Sequence, residues 1–97
     1  MMKQGKGRAA LSSQPETKKF RLLAFGIARD IVGGNEVDIE LTDAYSVGAL
    51  KTALQENYPD FKRLKSLAIA VNETYRTDEH ILNTNDEIVI IPPVSGG

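Results

Sequence analysis

The chain has 97 residues, 41% hydrophobic and 26% charged, enough for one small domain and too few for a second. It contains no cysteine, which excludes disulfides, thiolate nucleophiles, zinc ribbons and cysteine-ligated iron–sulfur clusters. Its one histidine, His80, gives no spacing for a histidine-based metal site. No apolar run approaches the roughly 20 residues of a membrane helix, and no signal-peptide pattern opens the chain, so a cytoplasmic protein without membrane association is expected.

The net charge of −1 conceals an asymmetry. Lys3, Lys6, Arg8, Lys18, Lys19 and Arg21 face a single acid, Glu16, in the first 21 residues. A basic leader of this kind reads either as a nucleic-acid arm or as a disordered segment. Its Gly-, Ser-, Gln- and Lys-rich composition, without apolar periodicity, favours disorder over residues 1–18. The domain expected over 19–97 is then acidic, which disfavours binding to nucleic-acid backbones.

Residues 20–25 read as a strand, with Phe20, Leu22 and Ala24 on one face and Arg21, Leu23 and Phe25 on the other. A short helix over 27–32 should stop at Gly33-Gly34. Residues 36–41 alternate, turning Val37, Ile39 and Leu41 inward and three acids outward, as in a half-buried strand antiparallel to the first. Ser46 suits the N-cap of a helix over 47–58, whose stripe of Val47, Leu50, Leu54 and Tyr58 must face the sheet, and Pro59 ends it. Residues 67–71 form a continuous apolar run, the pattern of a central strand buried on both faces. Asn72-Glu73 turns the chain into a short edge segment, Thr74-Tyr75-Arg76. A second turn cluster, 83–86, precedes the last strand, 87–91. One long helix against one face of a mixed sheet is the plan of an α+β, ubiquitin-like β-grasp domain.

The C-terminus is unusual. After Glu87 no side chain is charged, and the chain runs Pro92-Pro93-Val94-Ser95-Gly96-Gly97. Two prolines hold an extended backbone and remove two donors, so residues 92–97 cannot rejoin the sheet as a regular strand. Six residues reach roughly 20 Å beyond the domain. Gly-Gly passes where no Cβ fits, as in a narrow channel into another protein's active site, and delivers the terminal carboxylate of Gly97.

Three stretches, 25–33, 70–74 and 85–97, resemble the small-subunit family of molybdopterin synthase, sulfur carriers related to the thiamine-pathway carrier and more distantly to ubiquitin. The resemblance spans 19–97, and Pro-Pro-Val-Ser-Gly-Gly is its most specific piece. Asn85 stands where the family usually has Gly, and is expected to take over its positive φ. The resemblance implies that a ubiquitin-activating-like enzyme adenylates Gly97 with ATP, and that a sulfur donor protein then displaces AMP to leave a thiocarboxylate. The tail, 92–97, would thread into the large subunit, in a heterotetramer of two small and two large subunits. There the anionic sulfur attacks the cyclic pyranopterin monophosphate precursor. No permanently bound cofactor and no metal are implied.

Such a carrier needs a docking surface. Strand parity sets Phe25 opposite the helix-covered residues. With Ile91 and the edge residue Tyr75 it can form an exposed apolar patch, at positions matching the family's contact surface, or Phe25 and Ile91 can complete a second small core. Two other functions share the pattern: a carrier for thiamine synthesis, tRNA thiolation or conjugation, and a β-grasp interaction module with an inert tail. His80 lacks a partner nucleophile and reads as a surface turn residue, and Arg29 and Asp30 as a solvated helix face.

Overall fold

The computed structural model describes residues 16–93. Strand β1 (Thr17–Ala24) pairs antiparallel with β2 (Glu36–Thr42), from Thr17 opposite Thr42 to Leu23 opposite Glu36. The sequence places the domain boundary at Lys19, but β1 begins two residues earlier. Lys18 pairs with Leu41 and sets its ammonium 4.6 Å over the Tyr45 ring, a cation–π contact. The alternation of β2 is realised: Val37, Ile39 and Leu41 are buried, and Glu36, Asp38 and Glu40 exposed.

Between these strands lies α1 (Gly26–Val32). It ends as expected, with Gly33 in the left-handed region and the Gly33 and Gly34 amides both donating to the Arg29 carbonyl, at 2.8 and 3.1 Å. The main helix, α2 (Val47–Asn57), begins at Ser46, whose Oγ accepts from the Ala49 amide at 3.1 Å. Two further amides of its first turn are satisfied from outside: Val47 donates to the His80 carbonyl at 2.9 Å and Gly48 to that of Asp78 at 3.0 Å. Val47, Leu50 and Leu54 are fully buried against the sheet.

A 3-10 turn (Pro59–Arg63) follows α2. It buries Phe61, on which Tyr58 packs edge-on at 6.3 Å. β3 (Ala68–Val71), β4 (Thr74–Arg76) and β5 (Ile88–Ile91) complete a five-stranded sheet in the order β2-β1-β5-β3-β4. β5 is central, parallel to β1 and antiparallel to β3. A mixed sheet with its last strand in the middle and one long helix on one face is the β-grasp arrangement.

The β3–β4 turn is two residues long, and both Asn72 (φ 52) and Glu73 (φ 71) have positive φ, the geometry that matches strand twist in tight hairpins. Asn72 also joins this turn to the start of β5. Its amide donates to the Glu87 carbonyl at 2.8 Å and its Oδ1 accepts from the Glu87 amide at 2.9 Å, while its Nδ2 reaches Asp86 Oδ1 at 3.0 Å. The positive φ expected at Asn85 is absent: among the described non-glycine residues it occurs at Asp43, Asn72 and Glu73. The 83–86 turn is closed by Asp86, whose Oδ2 accepts from the Asn83 amide at 2.9 Å and whose own amide donates to the Asn83 carbonyl at 3.0 Å. Replacing Asn72 by Ala removes two side-chain hydrogen bonds and leaves a Cβ residue without local polar support at positive φ. A loss of about 2 kcal/mol in urea unfolding is expected.

Candidate functional site

The sheet has two faces and one helical cover. Phe20, Leu22, Ala24, Ile69, Val71, Ile88 and Ile90 point toward α2 and are buried. An uncovered face of an antiparallel or mixed sheet ordinarily carries polar side chains. Here its middle is apolar. The registers Leu23–Val89, Val89–Ala70 and Ala70–Tyr75 align four residues in one row across β1, β5, β3 and β4. At strand spacing this row is about 15 Å wide. One step further along, Ile91 lies beside Ala68. Phe25, one residue past the Ala24–Ile90 pair, stands level with Ile91.

The three residues singled out from sequence therefore share this face. Phe25 is 56% exposed and Tyr75 68%, while Ile91 is half-buried. An exposure of that size at Phe25 rules out its place in a second small core. Its outward position follows from an extended backbone at φ −132, ψ 162, and from Gly26 at φ 57, which swings the next residue into α1. Leu23, Val89, Ala68 and Ala70 belong to the patch too and were not foreseen as part of it. The shared parity with Phe25 and Ile91 is the signal that identifies them. The expectation that residues 67–71 are buried on both faces holds only in part. Ala70 is 6% exposed but Ala68 is half-buried, and both are screened by neighbouring strands without a second layer.

The tail leaves from the edge of this patch. β5 ends at Ile91, its last pair being with Ala68, and Pro92 and Pro93 follow half-buried outside the strand. Because β5 is central, the chain departs between the end of β1 and the start of β3, next to Phe25. Val94, Ser95, Gly96 and Gly97 lie outside the described residues, as does most of the leader, 1–15.

Elsewhere little chemistry converges. Among the described residues no group of three or more His, Asp or Glu is placed to hold a metal, and no helix is long and apolar enough to cross a membrane. The start of α2 has its amides occupied by Ser46, Asp78 and His80 and offers no anion site. His80 is half-buried and serves through its carbonyl. A shallow pocket of about 220 Å³ on the helical side, lined by Ile31, Asn57, Tyr58, Pro59 and Asp60, gathers no set of polar groups suited to catalysis.

Residues 22–97 match the ThiS family. The chain is 34% identical, over 86 residues, to the molybdopterin synthase sulfur carrier subunit of Dictyostelium discoideum, covering 84% of this chain and 99% of the relative. The putative molybdopterin converting factor subunit 1 of Pyrococcus furiosus superposes with a TM-score of 0.70 at 26% identity, over 78% of this chain and 98% of that one. A chain of the protein–protein complex of subunits 1 and 2 of molybdopterin-converting factor from Helicobacter pylori superposes with a TM-score of 0.55 at 26% identity, over 82% and 100%.

Proposed function

As the chain belongs to the ThiS family, we propose that it is the sulfur carrier subunit of a molybdopterin synthase. The observation that carries this reading is the juxtaposition of an uncovered apolar sheet face with the departure point of an uncharged Pro-Pro-Val-Ser-Gly-Gly tail. The Dictyostelium discoideum relative and the Helicobacter pylori complex support the molybdopterin reading over other sulfur-transfer pathways.

A carboxylate is a weak electrophile, and Gly97 must be activated before it can accept sulfur. A ubiquitin-activating-like enzyme spends ATP to join AMP to one carboxylate oxygen of Gly97. Sulfide-level sulfur from a donor protein then bonds to the Gly97 carbonyl carbon as that oxygen leaves with AMP, and Gly97 ends in a thiocarboxylate. The large subunit docks on Phe25, Ile91 and Tyr75 while Pro92, Pro93, Val94, Ser95 and Gly96 thread its channel. The thiocarboxylate sulfur, anionic and therefore nucleophilic, attacks the cyclic pyranopterin monophosphate. Two carriers serve the two sulfurs of the dithiolene, in an assembly of two small and two large subunits. The chain thus supplies a reagent, and the groups that bind the pterin reside on its partner. ATP is spent by the activating enzyme, and this chain keeps no cofactor.

Reconstitution tests the reading. Protein thiocarboxylated by its activating enzyme, mixed with the large subunit and precursor, should yield molybdopterin in proportion to the carrier added. Product formation that does not depend on the carrier's thiocarboxylate would refute it.

A further inference from the structure

The open face is not uniform along its strands, and the gradient identifies the kind of surface that fits it. Toward the tail it holds Phe25, Ile91 and Ala68, then the row Leu23, Val89, Ala70 and Tyr75, which meets an exposed acid, Glu36, only at the β2 edge. One step further away it becomes ionic. By the same registers Arg21 lies level with Glu87, the residue just before β5, and Asp38 stands opposite Arg21 on β2. Lys19 and Glu40 occupy the step beyond, and Glu73 caps the β3–β4 hairpin at the same end.

This charged zone is acidic on balance. Arg21 is engaged on the β2 side, 3.8 Å from Glu36 and 3.5 Å from Asp38. Glu73 and Glu87 are exposed and make no ion pair among the described residues. Asp86 beside them is different: both its carboxylate oxygens accept hydrogen bonds within the chain. Glu73 moreover occupies a positive-φ position that glycine adopts more readily. Its carboxylate is thus displayed at a conformational cost that no ion pair within the described fold offsets.

From this gradient we infer that the subunit receiving the tail presents an apolar ledge at its channel mouth. Set back from it by about 13 Å, the length of four strand residues, are Lys or Arg side chains facing Glu73 and Glu87. The inference rests on the functional reading above and adds the polarity of docking. The apolar end can approach the partner in either direction, but only one direction brings the carboxylates onto the cations and the tail onto the channel. Charges at the rim act chiefly on the rate of productive encounter.

The test is stopped-flow association of the full chain with the large subunit of molybdopterin synthase. Glu87→Lys is compared with Glu56→Lys, the same charge change on the exposed surface of α2, and then combined with Glu73→Lys. At about 10 mM salt, where the screening length is roughly 30 Å, Glu87→Lys should slow association about threefold and the double variant about tenfold. Glu56→Lys should stay near the unaltered rate, and the differences should vanish at about 1 M salt. Glu73→Lys is also made alone; it keeps an exposed side chain at the same backbone angle and should slow association about threefold, so it reports even if Glu87→Lys destabilises the β5 junction. Association indifferent to both carboxylates and to salt would overturn this inference alone. Failure of the unaltered chain to bind the large subunit would overturn the functional reading, and this inference with it.

Discussion

Deleting Gly97 should abolish sulfur transfer and leave the melting temperature essentially where it was. The second half follows from the core. Every buried apolar residue among those described lies between Phe20 and Ile90, and β5 ends at Ile91, so the packed interior of the described fold is complete before Gly97 is reached. Changes outside packed regions typically alter stability by less than about 0.5 kcal/mol. The first half follows from reach. Removing one extended residue draws the terminal carboxyl back by about 3.5 Å. A misplacement of even 1 Å can cost about a hundredfold in rate. The truncated chain also ends in a group that the activating enzyme would have to adenylate from the wrong position. Product formation in the reconstituted synthase and a thermal melt measure the two halves. A drop in melting temperature of several degrees would give the tail a structural role.

Phe25→Asp should separate docking from folding just as sharply. Phe25 is 56% exposed and beside the departure of the tail. Aromatic anchors of this kind contribute at least about 2 kcal/mol when they occupy the centre of an interface, so the dissociation constant of the large-subunit complex should rise about thirtyfold or more. Folding should be spared for a specific reason. Phe25 is the N-cap of α1 and makes no side-chain cap hydrogen bond. Aspartate is among the best residues there because its carboxylate can accept from the first-turn amides. The variant should therefore melt at or slightly above the temperature of the parent while binding poorly. An unfolded variant would place Phe25 in the core, and unchanged affinity would remove it from the interface. Calorimetric titration beside a melt decides between these outcomes.

The strands and main helix were legible because their signals are local. β2 alternates acids with branched apolar residues, α2 has a hydroxyl cap and an apolar stripe, and two adjacent turn residues announce the β3–β4 hairpin. The exposed apolar face was legible through parity, since an extended backbone puts Phe25 opposite Ala24. What escaped depends on partners distant in sequence. Phe61 in the 3-10 turn and Leu82 in the loop are buried, yet neither sits in a periodic segment. Thr17 and Lys18 join β1 only because β2 continues to Leu41 and Thr42. Asn85 keeps a negative φ because the carboxylate of Asp86 already closes that turn. The apolar character of residues 67–71 suggested two covering layers, where the structure has one layer and an uncovered face on which Ala68 and Ala70 are screened by the strands beside them.

The central claim is that the reactive group is the main-chain end of Gly97. Its most direct test is the intact mass of the chain after incubation with its activating enzyme, ATP and a sulfur donor. The mass should shift by one oxygen replaced with sulfur, localised by fragmentation to the C-terminal glycine and reversed by hydrolysis, which releases sulfide. A mass that stays unmodified under conditions where a known carrier is converted, or sulfur found at any other residue, would contradict it.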